Sequence, residues 1–127
     1  MINAYAYVDG SNLDGVSSQI AEAFANFLPT WSISSARLVN EKLPRTADLR
    51  DDDLPDWNLG LNFEAERLSP TEFDQLVSFL SRTAAETQRE FVIGGYGPTY
   101  QLAEDWGFIG THVESPTLQF LRKLLVG

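Results

Sequence analysis

The sequence predicts an α+β fold, a ferredoxin-like β-α-β-β-α-β sheet with helices on one face, followed by a C-terminal strand and helix. Three observations lead to this prediction. Strand-like and helix-like segments follow one another in that order, one helix begins at a clear capping sequence, and the chain has 127 residues. A chain of that size buries about two-thirds of its unfolded surface on folding. We therefore assign residues 1–127 to a single domain.

The first half of the chain predicts two strands around one helix. Residues 3–9 (NAYAYVD) are rich in aromatic and β-branched side chains and end in Asp-Gly, which is typical of a strand leaving a sheet. Apolar residues then recur at helical spacing over residues 16–27, until Pro29 ends the helix. Residues 31–39 predict a second strand. Residues 40–57 have no period and form a long connector, a kind of segment that is commonly functional.

The second half contains the clearest local signals. Residues 59–66 alternate between apolar and polar side chains, so they predict a half-buried strand with its glutamates toward water. Residues 69–72 (SPTE) form a capping box with proline at the first helical position, and an apolar helical face follows. Residues 91–96 and 106–113 predict two further strands. Ser115-Pro116 then begins a terminal helix.

Composition excludes several classes of chemistry. There is no cysteine, so thiol catalysis and cysteine-bound metals are excluded, and His112 is the only histidine. The net charge of −9 argues against direct binding to nucleic acid. No apolar run is long enough to span a membrane and no basic leader is present, so we expect a soluble, cytoplasmic protein without a membrane partner.

The negative charge is concentrated in the middle of the chain. Residues 48–74 contain nine acidic and two basic side chains, a net charge of −7, whereas the other residues together carry −2. Concentrated like charges repel one another, and a basic partner would relieve that repulsion. The alternative is a solvated acidic loop that has no partner.

Trp57 lies between the acidic run and the third strand, and it has two interpretations. Tryptophan is frequent among binding hot spots, but it can equally anchor a long loop by folding beneath it. With the acids around it, Trp57 completes a candidate surface for a basic protein partner. The candidate residues are Asp48, Asp51, Asp52, Asp53, Asp56, Trp57, Glu64 and Glu66.

One short segment points toward an enzyme. Residues 8–13 (VDGSNL) resemble the opening strand of NYN and PIN-like ribonucleases, a family in which a carboxylate at the end of that strand helps to bind a divalent metal. The resemblance implies a metal-dependent ribonuclease centred on Asp9. The family's further acids follow later strands, yet residues 97–100 contain none.

The remaining motifs predict no catalytic residue, metal site or cofactor. Residues 51–53 (DDD) lack the alternation, central glycine and closing glutamate of a calcium loop. Residues 94–98 (GGYGP) are glycine-rich, but they do not match the spacing of a nucleotide-binding loop, and Pro98 removes one of the amides that such a loop needs.

The layout of residues 59–96 is similar to that of small acidic immunity proteins encoded beside bacterial polymorphic toxins. The segment is LGLNFEAERLSPTEFDQLVSFLSRTAAETQREFVIGGY, a strand with acids outward, a capped helix and a strand. The resemblance implies a non-catalytic inhibitor that binds a cognate toxin acting in the cytoplasm, such as a nuclease or deaminase, and covers its active site. It transfers no site residues. The ribonuclease and a nucleic-acid mimic, whose carboxylates imitate phosphates, remain as alternatives.

Overall fold

The computed structural model describes residues 1–10, 12–42, 57–96 and 103–126. These ranges contain five strands, three α-helices and one short 3₁₀ helix, Leu28–Thr30, which continues the first α-helix. The elements are β1 (Ile2–Val8), α1 (Ser17–Phe27), β2 (Arg37–Lys42), β3 (Trp57–Ala65), α2 (Pro70–Thr87), β4 (Phe91–Tyr96), β5 (Ala103–Ile109) and α3 (Ser115–Leu125). Within the described ranges, no helix has both the length and the hydropathy that a membrane crossing needs.

The five strands form one sheet in the order β2-β3-β1-β4-β5, and every neighbouring pair is antiparallel. Strand β1 is central, because it pairs with both β3 and β4. The β1-α1-β2 unit and the β3-α2-β4 unit therefore interleave, each with a strand of the other between its own two strands. This is the split arrangement that the element order predicts, with β5 added beside β4, so the α+β fold is confirmed.

The hydrophobic core lies between one face of the sheet and the three helices. Alternate residues on β1, β3, β4 and β5 point into it, as the period of a strand requires. The sheet contributes Ala4, Ala6, Val8, Leu59, Leu61, Phe63, Phe91, Ile93 and Ile109. The helices contribute Ile20, Phe24, Phe27, Phe73, Leu76, Phe79, Leu80, Ala84, Leu121 and Leu125. No described helix packs on the opposite face, which we call the open face.

The capping box of α2 forms as predicted. The Glu72 amide donates to Ser69 Oγ over 3.1 Å, and the Ser69 amide donates to Glu72 Oε1 over 2.8 Å. Ser32 Oγ donates to the other carboxylate oxygen of Glu72, and this bond, followed by the bond from the Ser69 amide, lowers the pKa of Glu72. The start of α2 is thereby tied to the segment before β2.

The predicted bounds of the second strand were wrong, because β2 begins only at Arg37. Trp31, expected in that strand, is buried in the core instead. Its ring packs edge-on against Phe63 with the centroids 5.2 Å apart, and its indole N–H donates to the Glu72 carbonyl. Because Trp31 enters the core directly after the Leu28–Thr30 helix, the chain turns before it reaches β2 and pairs with β3.

The bounds of the last strand also differ from the prediction of residues 106–113. Strand β5 begins three residues earlier and ends at Ile109. A bulge opposite Ile93 and Gly94 shifts its register, and Gly110 follows where the chain leaves the sheet. His112, which falls within the predicted strand, is therefore exposed in a bend beyond the end of β5.

Candidate functional site

Five of the eight predicted partner-binding residues lie outside the described part of the chain. They are Asp48, Asp51, Asp52, Asp53 and Asp56. The other three lie on β3 or just after it. Trp57 begins that strand and Glu64 is near its end, which separates them by roughly 23 Å along an extended chain. The three described residues therefore lie at opposite ends of the strand and do not form a single cluster.

Trp57 is held by side chains of the neighbouring strand. Its indole N–H donates to Asn40 Oδ1 over 2.7 Å, and Lys42 Nζ lies 5.0 Å from the centre of its ring. Lys42 also forms an exposed ion pair with Asp14 at 3.5 Å. These contacts give Trp57 the role of an anchor at the start of β3. Its predicted role as a binding hot spot stays a prediction.

Glu64 and Glu66 are both exposed, as predicted for the wet side of this strand. Glu64 is fixed through its backbone, since its amide and carbonyl exchange hydrogen bonds with the Ser35 hydroxyl at 2.9 and 2.6 Å. Its carboxylate is on the open face, in register with Asn3 of β1. This places one of the two predicted carboxylates beside the central strand.

The open face carries a tyrosine cluster that sequence reasoning missed. Tyr5 and Tyr7 project from β1, and their rings stack with centroids 4.8 Å apart and planes 23° from parallel. Tyr96, from β4, meets Tyr5 edge to face at 6.3 Å. The signal was present in NAYAYV, because the small residues Ala4 and Ala6 face the helices and the tyrosines therefore face the other way.

Two hydrogen bonds fix the orientation of the stacked rings. Tyr5 Oη donates to Asp105 Oδ1 over 2.5 Å, which joins β1 to the edge strand β5. Tyr7 Oη donates to Asn62 Oδ1 over 2.6 Å on the other side. Burial raises the pKa of both phenols, and Tyr5 is raised further by its bond to Asp105. Both phenols thus stay neutral well above physiological pH.

A glycine makes room for the Tyr5 ring. Gly94 is opposite Tyr5 on β4, and a Cβ added there would lie 2.4 Å from Tyr5 Oη and from the Glu104 carbonyl oxygen. Any other residue would force the ring or β5 to move. The ring consequently lies flat against the sheet, and Tyr5 is only 5% exposed although no described helix covers it.

A cavity of about 210 Å³ lies along this face. Its lining includes the three tyrosines and Trp57, together with Asp9 and Asp105. None of the described residues that line it is basic. Tyr96 and Phe108, which pairs with Val92 of β4, are 42% and 45% exposed, so both leave aromatic surface on the open face. The arrangement offers aromatic faces beside negative charge.

Asp9, the residue on which the ribonuclease alternative depends, lies just after β1. It is exposed, and its amide donates to the Glu90 carbonyl over 2.8 Å. Because β3 and β4 run antiparallel to β1, their C-terminal ends lie beside the start of β1, whereas Asp9 follows its end. Among the described residues, no three His, Cys, Asp or Glu side chains are grouped closely enough to hold a metal ion.

Comparisons with protein families, with curated proteins and with solved structures find no match to this chain.

Proposed function

We propose that this protein is a non-catalytic binding module that neutralises a basic protein partner, in the manner of an immunity protein and its cognate toxin. The partner would be an enzyme that acts in the cytoplasm on nucleic acid or nucleotides, inhibited by covering its active site. The observation that carries the proposal is the open face, a sheet surface with three clustered tyrosines, an exposed phenylalanine and flanking carboxylates.

The chemistry of this face suits a protein interface. Tyrosine is enriched in interface cores, and exposed apolar patches on small domains commonly mark binding surfaces. The Tyr5 and Tyr7 rings are already fixed by Asp105 and Asn62, so little conformational freedom is lost when a partner docks. Such a surface supports tight binding without any reacting group.

The charge distribution supports a basic partner. Trp57, which follows directly after the acidic residues 48–56, lines the same cavity as the tyrosines. The stretch of sequence that concentrates the negative charge therefore ends next to a residue of the cavity lining. Complementary charge speeds the encounter of two proteins and excludes partners of the same sign.

The two alternatives receive less support. A ribonuclease centred on Asp9 needs several converging oxygen ligands, and the antiparallel sheet carries the ends of β3 and β4 away from Asp9. A nucleic-acid mimic would also bind a basic protein, but it needs carboxylates at phosphate spacing. Among the described residues that line the cavity only Asp9 and Asp105 are acidic, which is too few to imitate a run of phosphates.

The proposal is tested by titrating the purified protein with the product of the neighbouring gene in a calorimeter, at low and high salt. We expect a stable complex at micromolar concentration whose affinity falls as salt rises, because exposed charge pairs are screened. Absence of a complex contradicts the proposal. Cleavage of RNA with Mg²⁺ or Mn²⁺ that is lost in Asp9→Asn would establish the ribonuclease instead.

The placement of the acidic surface is tested with two double variants of equal charge. Asp52→Asn/Asp53→Asn alters the acidic run, whereas Glu22→Gln/Glu86→Gln alters exposed acids on α1 and α2. We expect the first pair to weaken binding by about tenfold or more and the second to change it little. Equal effects would mean that only the overall charge matters.

A further inference from the structure

We infer that the cavity beside the tyrosine cluster receives an arginine side chain of the basic partner. The inference rests on the proposed function and deepens it, because it names the chemical group that the open face recognises. The cavity is lined by the aromatic residues Tyr7 and Tyr96 together with the acidic residues Asp9 and Asp105. Those two features together select a flat cation.

The aromatic part of the cavity is held ready for a cation. The stacked Tyr5 and Tyr7 rings cannot rotate freely, because each hydroxyl is bonded to a side chain of a neighbouring strand. Burial raises the pKa of both phenols, so the rings stay neutral and retain their π faces. A cation is attracted to such a face when it lies within about 6 Å of the ring centre.

The carboxylates determine the sign of the occupant. Asp105 accepts a hydrogen bond from Tyr5, which fixes its position at one end of the cavity, and Asp9 adds negative charge at the other. None of the described lining residues neutralises them. Arginine suits this pair of features better than lysine, because its planar guanidinium stacks on aromatic rings and presents several donors to one carboxylate.

The size of the cavity favours a side chain over a larger ligand. Sites for small-molecule ligands and cofactors are usually about 300–1,000 Å³, whereas this cavity measures about 210 Å³. It is also open toward solvent on the sheet surface, as a site filled by a protruding residue of another protein must be. A nucleotide or an organic cofactor would extend well beyond it.

The inference is testable on the isolated protein by NMR. N-acetyl-arginine amide is added while the tyrosine ring resonances are followed, with N-acetyl-citrulline amide as a neutral probe of nearly the same shape. We expect saturable shifts of the Tyr7 and Tyr96 rings in the millimolar range with arginine only. Equal shifts with citrulline, or with N-acetyl-lysine amide, overturn the inference. So do tyrosine shifts that appear only with a short single-stranded RNA.

Matched variants distinguish arginine binding in the cavity from the general attraction of a cation to an acidic protein. Tyr96→Leu should weaken arginine binding at least about fivefold, whereas Phe120→Leu, at a residue of similar exposure on α3, should not. Asp105→Asn should act as Tyr96→Leu does, and Glu22→Gln should have no effect. If all four variants bind arginine equally, the inference is wrong. No partner enters this experiment, so its failure leaves the proposed complex to be decided by the separate titration.

Discussion

Replacing Gly94 by alanine should destabilise the protein through the tyrosine cluster. The added Cβ would lie 2.4 Å from the Glu104 carbonyl oxygen, 2.4 Å from Tyr5 Oη and 2.5 Å from Tyr5 Cζ. Real Cβ contacts below 3.0 Å are essentially never seen. One neighbour is backbone and the other is a ring bonded to Asp105, so neither can move without losing a contact.

The expected size follows from the cost of overpacking. Forcing extra volume into a packed site costs about 1–3 kcal/mol. For 127 residues the entropy of unfolding is about 0.27 kcal/mol/K, so the melting temperature should fall by about 4–11 °C. Near-UV circular dichroism should also change, because the Tyr5 ring is displaced from Tyr7.

Differential scanning calorimetry provides the measurement, with Gly15→Ala as the control. A Cβ at Gly15 meets nothing within 4 Å, so that variant should be neutral or more stable by up to about 1 kcal/mol. If Gly94→Ala melts at the same temperature as the Gly15 variant and keeps the native near-UV spectrum, the packing of Tyr5 described above is wrong.

Three further predictions concern the caps and the titrating groups. Ser69→Ala should lower the free energy of unfolding by about 1 kcal/mol in urea titrations, since the Glu72 amide loses its acceptor, while Ser78→Ala in mid-helix should cost little. Glu72 has a lowered pKa in the folded state, so its contribution is present above about pH 4.5 and lost as the pH falls; Glu72→Gln should flatten this acid dependence of unfolding. The pKa values of Tyr5 and Tyr7 are raised, so unfolded tyrosines lose their protons first, and stability should decline as the pH rises beyond about 10. Phenolate absorbance should then appear together with the loss of near-UV dichroism, and Tyr5→Phe should reduce the decline.

The elements that the sequence predicts best are those with local signals. The start of α2 and the bounds of β4 match the prediction because Ser69, Pro70 and Glu72 form a self-contained cap and FVIGGY is uninterrupted. The predicted start of β2 was wrong because Trp31, an aromatic residue among serines, resembles part of a strand. Its contact with Phe63 in the folded protein shows that it belongs to the core. The start of β5 was missed because it depends on pairing with another strand. Its register depends on a bulge against Gly94, which no short window of sequence reveals.

The candidate site was less predictable than the fold. The charge pattern led to eight candidate residues, and of those that the structure describes only Trp57 lines the cavity. The tyrosines come from β1 and β4, and Asp105 from β5, so three distant stretches of sequence meet only when the strands pair. Alternation in NAYAYV indicates which side chains share a face. It does not indicate that this face is the one without helices.

The open face as the binding surface is tested by a footprint of the complex with the neighbouring gene's product. Hydroxyl radicals label exposed aromatic side chains, and this fold offers a pair for comparison: Phe108 on the open face is 45% exposed and Phe120 on α3 is 49% exposed. We expect the partner to protect Phe108 and Tyr96 while Phe120 remains reactive. Protection of Phe120 with Phe108 and Tyr96 still labelled would contradict this expectation.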